Sequence, residues 1–277
     1  MKTKSFFSTI AFACVLVFTS CKPTEKPQSS ETKKPINITI FIDLSDRILK
    51  NEQLAQMEKD TAIVGYIADY FLKESKDNGI QESQNRIKVL FYPEPQGTAM
   101  VKCADDLNVD IQKCKEGAER KNKVKNVKET FQKSLEQVYT QAIKDSNFPG
   151  CDIWGFFSNK KVDIHCISDN HRNILFVLTD GYILDEKTME RNGDISNYIS
   201  SKILTNPNAE LEVGRTGLEN LEVAFLEINP QDPKHLKKMT SMIENWLKGM
   251  GIKEENITIS DTGLPVNTKR VIESFLN

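Results

Sequence analysis

The sequence predicts an α/β fold in which a doubly wound, mostly parallel central sheet is flanked by helices. Two apolar runs carry this prediction, covering Ile36–Ile42 and Asn173–Thr179. Each is as long as a strand and apolar on both of its faces, as the buried strands of parallel sheets are. Segments with helical periodicity alternate with these runs and with weaker strand segments, which is the order that a parallel sheet requires.

The first 20 residues have the features of a secretory signal peptide and are left out of the fold prediction. Lys2 and Lys4 form a basic start, and the apolar stretch that follows is too short to span a bilayer. Phe18-Thr-Ser-Cys21 resembles the lipobox of bacterial lipoproteins, in which the peptide is cut before a cysteine that then receives lipid. The resemblance implies a lipid on Cys21, and an ordinary secretory signal that is cut nearby is the alternative.

Residues 21–35 are predicted to be a flexible tether, because they are rich in Lys, Pro, Ser, Thr and Glu and contain little to bury. Residues 36–277 then form the folded domain. The lipobox implies a location in the cell envelope, with the protein anchored in the outer membrane on its periplasmic or its surface face. The formal net charge of −2 predicts no nucleic-acid partner.

The remaining helices and strands are predicted from apolar periodicity and turn signals. The predicted helices are Asn51–Lys73, Thr130–Lys144, Glu186–Leu204, a segment that opens with Asp232-Pro233, and Thr268–Leu276. The predicted further strands are Arg86–Tyr92, Asn220–Asn229 and Asn256–Ser260.

Two segments without clear periodicity are predicted to be insertions, and each contains a pair of cysteines. Gln96–Asn126 is expected to hold at most a short strand at Thr98–Lys102. The basic cluster Lys121–Lys128 carries no aromatic residue and is predicted to be a solvated loop. Cys151–Cys166 is predicted to be a packed insertion or a short strand pair.

Four cysteines lie beyond Cys21, and an even number in an exported protein predicts disulfides. We favour the pairs that are local in sequence. A zinc site that uses these cysteines with His165 and His171 is the alternative, although no Cys-x-x-Cys spacing occurs. The favoured pairs are Cys103–Cys114 and Cys151–Cys166.

Small polar residues follow the two buried runs at the point where each strand ends. Asp43 and Ser45 come directly after the first run, and Asp180 comes after the second. In open α/β sheets, ligands bind at the carboxyl ends of the strands. These side chains therefore mark the candidate site.

These motifs resemble those of von Willebrand factor A domains, which have a Rossmann-like fold. Asp43-x-Ser45-x-Arg47 stands where the family has Asp-x-Ser-x-Ser, and Asp180 stands at the family's later aspartate. Thr130 precedes a predicted helix and is the candidate for the family's middle-loop Thr, with a plain helix N-cap as the alternative. In the family these residues hold one divalent ion with a position open for a partner's carboxylate, and such oxygen ligands suit Mg²⁺.

Arg47 is the departure from the family pattern, because a guanidinium cannot bind a cation and tends to pair with nearby carboxylates. Two hypotheses follow. Either Mg²⁺ binds and Arg47 turns away, or Arg47 supplies the positive charge that the two aspartates need. We favour the second hypothesis, in which Arg47 pairs with Asp180 and no cofactor is bound.

The resemblance implies a membrane-anchored binding module, without catalytic turnover, whose partner is an envelope or extracellular protein or peptide. A phosphatase of the haloacid dehalogenase type is the first alternative, because the segment that begins at Asp43 faintly resembles its nucleophile loop. That family has an aspartate where Ser45 stands, and it has Gly-Asp where Asp180-Gly181 has the reverse order. A purely structural part of an envelope assembly is the second alternative.

Overall fold

The structure is a computed structural model that describes residues 33–49, 53–77, 79–94, 98–115, 117–145, 151–183 and 194–277. The predicted signal peptide, Cys21 and most of the predicted tether lie outside these residues. Residues 34–277 form one unit. None of the helices in the described part of the chain has both the length and the apolar character needed to cross a bilayer.

A six-stranded sheet in the order β3-β2-β1-β4-β7-β8 forms the centre of the molecule. Its strands run parallel except β3, which pairs with β2 in the antiparallel direction. The strands of this sheet are β1 (Ile36–Ile42), β2 (Arg86–Leu90), β3 (Asn108–Asp110), β4 (Arg172–Leu178), β7 (Leu221–Ile228) and β8 (Ile257–Asp261), and a separate pair is formed by β5 (Ile195–Ser196) and β6 (Glu210–Leu211). The predicted α/β class with a mostly parallel central sheet is confirmed.

Helices cover both faces of this sheet. They are α1 (Gln53–Asp77), α2 (Thr98–Asp106), α3 (Gly117–Asp145), α4 (Ile153–Ser158), α5 (Lys161–Cys166), α6 (Ser201–Leu204), α7 (Leu236–Gly249) and α8 (Pro265–Leu276). Short 3₁₀ turns lie at Asp46–Leu49, Ile111–Lys113, Pro233–His235 and Glu254–Asn256.

The central strand β1 separates two hydrophobic cores, because successive side chains of a strand point to opposite faces. Ile38 and Ile40 pack with α1, α3 and α8, whereas Phe41 packs with α4, α5 and α7. All seven residues of β1 are buried, as the apolar run predicts. The sheet is therefore covered on both sides, and the ends of its strands remain as the places where polar groups collect.

The predicted insertion Gln96–Asn126 is wrong in detail, because helices occupy most of it. Thr98–Lys102 is the start of α2 and not a strand, and β3 follows that helix. The predicted loop Lys121–Lys128 lies inside α3, whose buried stripe already includes Val124 and Val127. Two valines three positions apart among lysines are enough to seat this turn of the helix against the core, while the lysines face outward.

The segment Cys151–Cys166 packs as predicted, but it forms the two short helices α4 and α5 and no strand pair. Asp152 caps the first of them, since its Oδ1 accepts a hydrogen bond from the Gly155 amide at 2.6 Å. The predicted helix Glu186–Leu204 lies partly outside the described residues. Its described part holds β5 and the four-residue α6.

The strands β1, β4, β7 and β8 end at the same edge of the sheet, which we call the carboxyl edge. Backbone hydrogen bonds continue beyond the strands there, from the Asp43 amide to the Leu178 carbonyl and from the Asn229 amide to the Asp180 carbonyl. Counted within this sheet alone, the strands follow the 3-2-1-4-5-6 order of doubly wound folds, and the direction of winding reverses between β1 and β4. Ligands of such folds bind at this reversal, where Asp43 and Asp180 lie.

Candidate functional site

Asp43 is fully buried at the end of β1, and protein groups hold its carboxylate in place. Oδ1 accepts a hydrogen bond from the Ser45 amide at 2.8 Å, and Oδ2 accepts one from the Thr179 hydroxyl at 2.8 Å. The Cys151 thiol makes a further hydrogen bond to this carboxylate. Asp43 thus acts as a fixed acceptor that ties the end of β1 to β4 and to the start of α4.

Asp180 lies beside this group at the end of β4 and is 7% exposed. Its Oδ1 accepts a hydrogen bond from the Tyr182 amide at 3.2 Å. The chain turns sharply after it at Gly181, whose φ of +96° suits glycine and where a Cβ atom would lie 2.3 Å from the Met239 sulfur. Asp180 and the half-buried Ser45 are the site's polar side chains nearest to solvent.

The positive charge of the site comes from Arg47, which is buried and pairs with Asp60 of α1. Arg47 Nη2 lies 2.6 Å from Asp60 Oδ2, and its Nε donates to the Asp43 carbonyl at 2.8 Å. Asp60 is fully buried as well, and it also accepts hydrogen bonds from the Tyr139 hydroxyl and from Gln56 Nε2. The ion pair that the structure gives Arg47 is therefore with Asp60, whereas the sequence prediction names Asp180.

Electrostatics agree with a charged Arg47–Asp60 pair. Burial alone would lower the pKa of Arg47, but the charges of Asp60, Asp43 and Asp180 raise it above its ordinary value. Burial and the charge of Asp60 hold the pKa of Tyr139 well above its usual range, so this hydroxyl stays protonated and donates. The two aspartates of the carboxyl edge therefore have a permanent cation beside them.

The structure does not bring Thr130 to the carboxyl edge. Thr130 lies inside α3, thirteen residues after the helix begins at Gly117, so it is also not an N-cap. It lines an open polar groove between α2 and α3 together with Asp106 and Lys133. Thr179 takes the position next to Asp43 instead, and its hydroxyl also accepts a hydrogen bond from the Gly181 amide at 3.1 Å.

The predicted disulfides are wrong, because all four cysteines are free thiols in the structure. Cys151 contacts Asp43, whereas Cys166 bonds to the side chain of Thr39. Asp43 and Thr39 lie four residues apart along β1, or roughly 13 Å, which is far beyond the reach of a disulfide. Burial raises the pKa of Cys166 to about 12, although Lys88 and the Thr39 side chain act in the opposite direction, so this thiol stays protonated.

Cys103 and Cys114, the other predicted pair, also point to separate partners. Cys103 Sγ donates to Gln137 Oε1 at 3.3 Å, and Cys114 Sγ donates to the Asp110 carbonyl at 3.5 Å. Within the described ranges, no group of three or more His, Cys, Asp and Glu side chains is arranged to hold a metal ion. The zinc alternative thus has no ligand set in this part of the chain.

A second buried acid, Glu227, lies at the end of β7 on the α1 and α8 side of the sheet. The register between β7 and β8 shifts after Phe225. Glu227 adopts a φ of +71°, which is rare for a residue other than glycine. Its two carboxylate oxygens accept hydrogen bonds from Thr262 at 2.7 Å and from Thr268 at 3.0 Å. This bulge turns the acid toward Asp60 and extends the buried polar layer below the carboxyl edge.

Sequence analysis missed Asp60, Tyr139 and Thr179 as parts of the site. Asp60 lies on the apolar stripe of its helix, three and four residues before Ile63 and Val64, and a charge in that position indicates a buried partner. Tyr139 follows Val138 on the buried stripe of α3 in the same way. Two polar groups on the buried faces of neighbouring helices are the signal that could have identified the pair.

Comparisons with known proteins assign the chain to no family. No family profile and no curated protein matches it. Among solved structures it is similar to the pilus adhesin SpaC from Lactobacillus rhamnosus GG (TM-score 0.45, 12% identity) and to proximal thread matrix protein 1 from the mussel byssus (TM-score 0.39, 13% identity). In each case 88% of this chain is covered, but only 31% and 47% of the other chain. Similarities at this level assign neither a family nor a function.

Proposed function

We propose that this protein is a lipid-anchored, von Willebrand factor A-like binding module without catalytic turnover. Its carboxyl edge would bind a protein or peptide of the cell envelope or of the exterior. One observation carries the proposal: Arg47, which stands at the second serine position of the family it resembles, is a buried cation that donates to the Asp43 carbonyl and pairs with Asp60. The site would then be a pseudo-metal site, in which protein hydrogen bonds hold the Asp43 and Asp180 carboxylates and Arg47 supplies the positive charge without a cofactor.

The surface around the edge supports a binding role. Leu264 and Val266 follow β8 and are 68% and 50% exposed, and Asp180 lies within the same layer of strand ends. Exposed apolar side chains at the same edge of the sheet as a recessed carboxylate match the usual composition of a protein interface, which has an apolar centre and a polar rim.

The phosphatase alternative gains no support from the geometry of Asp43. A nucleophilic carboxylate must reach the phosphorus atom of its substrate, whereas Asp43 is fully buried and both of its oxygens accept hydrogen bonds from the protein. The role of a structural part in an envelope assembly is a special case of the binding proposal, in which the partner is a permanent one.

The binding role is tested by capture from detergent-solubilised envelope with the full chain as bait. We expect Leu264→Asp to abolish capture of the partner, because a charge would enter the apolar part of the surface. Ile164→Asp is the matched control, since Ile164 is 72% exposed but lies on α5, whose last residue contacts Asn37 in the other half of β1. Equal loss of capture in both variants, or in neither, would count against the carboxyl edge as the binding surface.

The pseudo-metal site is tested by thermal melts with MgCl₂ and with EDTA. We expect neither MgCl₂ nor EDTA to change the melting temperature of the wild-type protein. The double variant Arg47→Ser, Asp60→Asn restores the family's serine without leaving a buried charge unpaired, and it should gain a Mg²⁺-dependent rise. An ion present at about 100 times its dissociation constant adds roughly 2.7 kcal/mol of stability.

Adding Asp180→Asn to that double variant is the control, and it should weaken the Mg²⁺ response because it removes one of the carboxylates. A wild-type melt that rises with Mg²⁺ and falls again with EDTA would show that a metal occupies the site despite Arg47.

A further inference from the structure

A second polar cluster lies on the face of the sheet that α4 and α5 cover, away from the carboxyl edge. Lys88 of β2 pairs in register with Thr39 of β1, so the two side chains are neighbours on the same face. The Thr39 hydroxyl donates to the His165 carbonyl at 3.0 Å and thereby fixes the end of α5 above β1. Lys88 Nζ lies 3.5 Å from His165 Nδ1, and both side chains are half-buried.

Lys88 is a half-buried cation without a carboxylate. Within the described residues its polar contact is the one with His165, and no ion pair joins it to an aspartate or a glutamate. Its neighbours on the same surface differ in this respect, because Arg86 and Lys113 both pair with Asp110, at 3.4 Å and 3.7 Å. A charge that is taken out of water without compensation costs free energy, so this amine would gain from an anionic partner.

The two side chains together offer hydrogen-bond donors. An ammonium group can only donate, so the contact with Lys88 requires His165 Nδ1 to accept, which places the ring proton of the neutral imidazole on Nε2. Phe156 covers one face of the ring, with the centroids 6.2 Å apart and an interplanar angle of 23°. The polar groups left for a ligand are thus the spare protons of Lys88 Nζ and the Nε2 proton of His165, and a ligand must supply acceptors.

The charged groups around Lys88 and His165 favour an anionic ligand. Burial lowers the pKa of Lys88, the neighbouring Cys166 acts in the opposite direction, and Lys113 and Arg86 lower the pKa again. Burial and the charge of Lys88 lower the pKa of His165, while the exposed Glu94 acts in the opposite direction. An anion placed here would relieve the repulsion between these cationic groups.

We infer that Lys88 and His165 form a binding site for a carboxylate group, supplied by a free small acid or by an acidic peptide segment. The site does not depend on the function proposed for the carboxyl edge. Lys88 supplies the charge, His165 supplies a second donor, and Phe156 holds the imidazole in place. These side chains recognise only the carboxylate group of the ligand. The experiment below therefore distinguishes a free small acid from an acidic peptide segment.

The test is a titration of the full-length protein in detergent, followed by NMR of its imidazole groups. Only three histidines are present, and a His165→Gln variant assigns the signal of interest. The probes are sodium acetate and a capped Glu-Glu-Glu peptide, each compared with sodium chloride at equal ionic strength. We expect the His165 signal to move with a carboxylate probe and not with chloride.

Two lysine variants complete the test. Lys88→Met keeps the apolar stem and removes the charge, and it should weaken carboxylate binding by about tenfold or more, as the loss of a charge-assisted hydrogen bond does. Lys113→Met removes a neighbouring charge that is already paired with Asp110, and its affinity should stay close to that of the wild type.

Tighter binding of the peptide than of acetate, at equal carboxylate concentration, would identify a protein segment as the source, and equal binding would identify a free acid. The inference is overturned if neither probe moves the His165 signal beyond the chloride control. It is also overturned if Lys88→Met and Lys113→Met have the same effect.

Discussion

Replacing Asp60 by asparagine should destabilise the protein by about 3–5 kcal/mol, because it leaves the charge of Arg47 buried without a partner. Asparagine has nearly the shape of aspartate, so the change removes charge and little else. Asp60 accepts hydrogen bonds from Arg47, Tyr139 and Gln56, and all three would lose a charged acceptor. Since whole domains are stable by only about 5–15 kcal/mol, chemical denaturation followed by circular dichroism would show the loss as a large fall in the midpoint.

Asp69→Asn is the matched control on the same helix. Asp69 pairs with Lys128 at the same distance of 2.6 Å, but both side chains of that pair are more than 40% exposed. Exposed pairs contribute about 0–1 kcal/mol, so the control should unfold almost as the wild type does. If the two variants lose similar amounts of stability, the pair of Arg47 with Asp60 is not the buried centre of the site.

Cys21→Ser should move the protein from the membrane fraction to the soluble fraction. Acyl chains contribute about 0.8 kcal/mol per buried CH₂, and two chains give a stable anchor where one gives only a marginal one. Fractionation with immunoblotting, together with the intact mass of the wild-type protein, provides the measurement.

Cys103→Ser serves as the control for this variant, because it removes another thiol that is not fully buried and should leave the protein in the membrane fraction. The lipobox assignment is wrong if the wild-type protein carries no lipid mass on Cys21. It is equally wrong if the Cys21→Ser protein sediments with the membranes as the wild type does.

The strands were the part of the fold that could be predicted from sequence, and the reason is burial on both faces. β1 and β4 are continuous apolar runs that only a buried parallel strand explains, and β7 and β8 lie within one residue of the predicted ranges. The stretch around α2 and β3 could not be predicted, because edge elements bury only one side and their sequences show weak periodicity. The first turns of α3 were likewise missed, because the many lysines on its exposed face obscure the apolar periodicity of Val124 and Val127.

The candidate site could be predicted only where its residues follow directly on a strand. Asp43 and Asp180 come together because the ends of parallel strands meet, and that rule needs no knowledge of helix packing. Asp60 and Tyr139 reach the site through the packing of α1 and α3, which the order of residues does not reveal. The prediction for Thr130 was wrong for a related reason, because it assumed that the helix begins at Thr130, whereas α3 begins at Gly117.

The position at which the chain enters the sheet has a mechanical consequence. Pro35 lies next to the start of β1, where its carbonyl accepts a hydrogen bond from the Arg172 amide at 2.9 Å, whereas Asp43 follows the other end of the same strand. A pull between the amino-terminal segment and a partner held at the carboxyl edge would load β1 lengthwise, over roughly 23 Å. The hydrogen bonds to β2 and β4 run along both sides of that strand and would share the force in shear, so β1 transmits the pull through the domain.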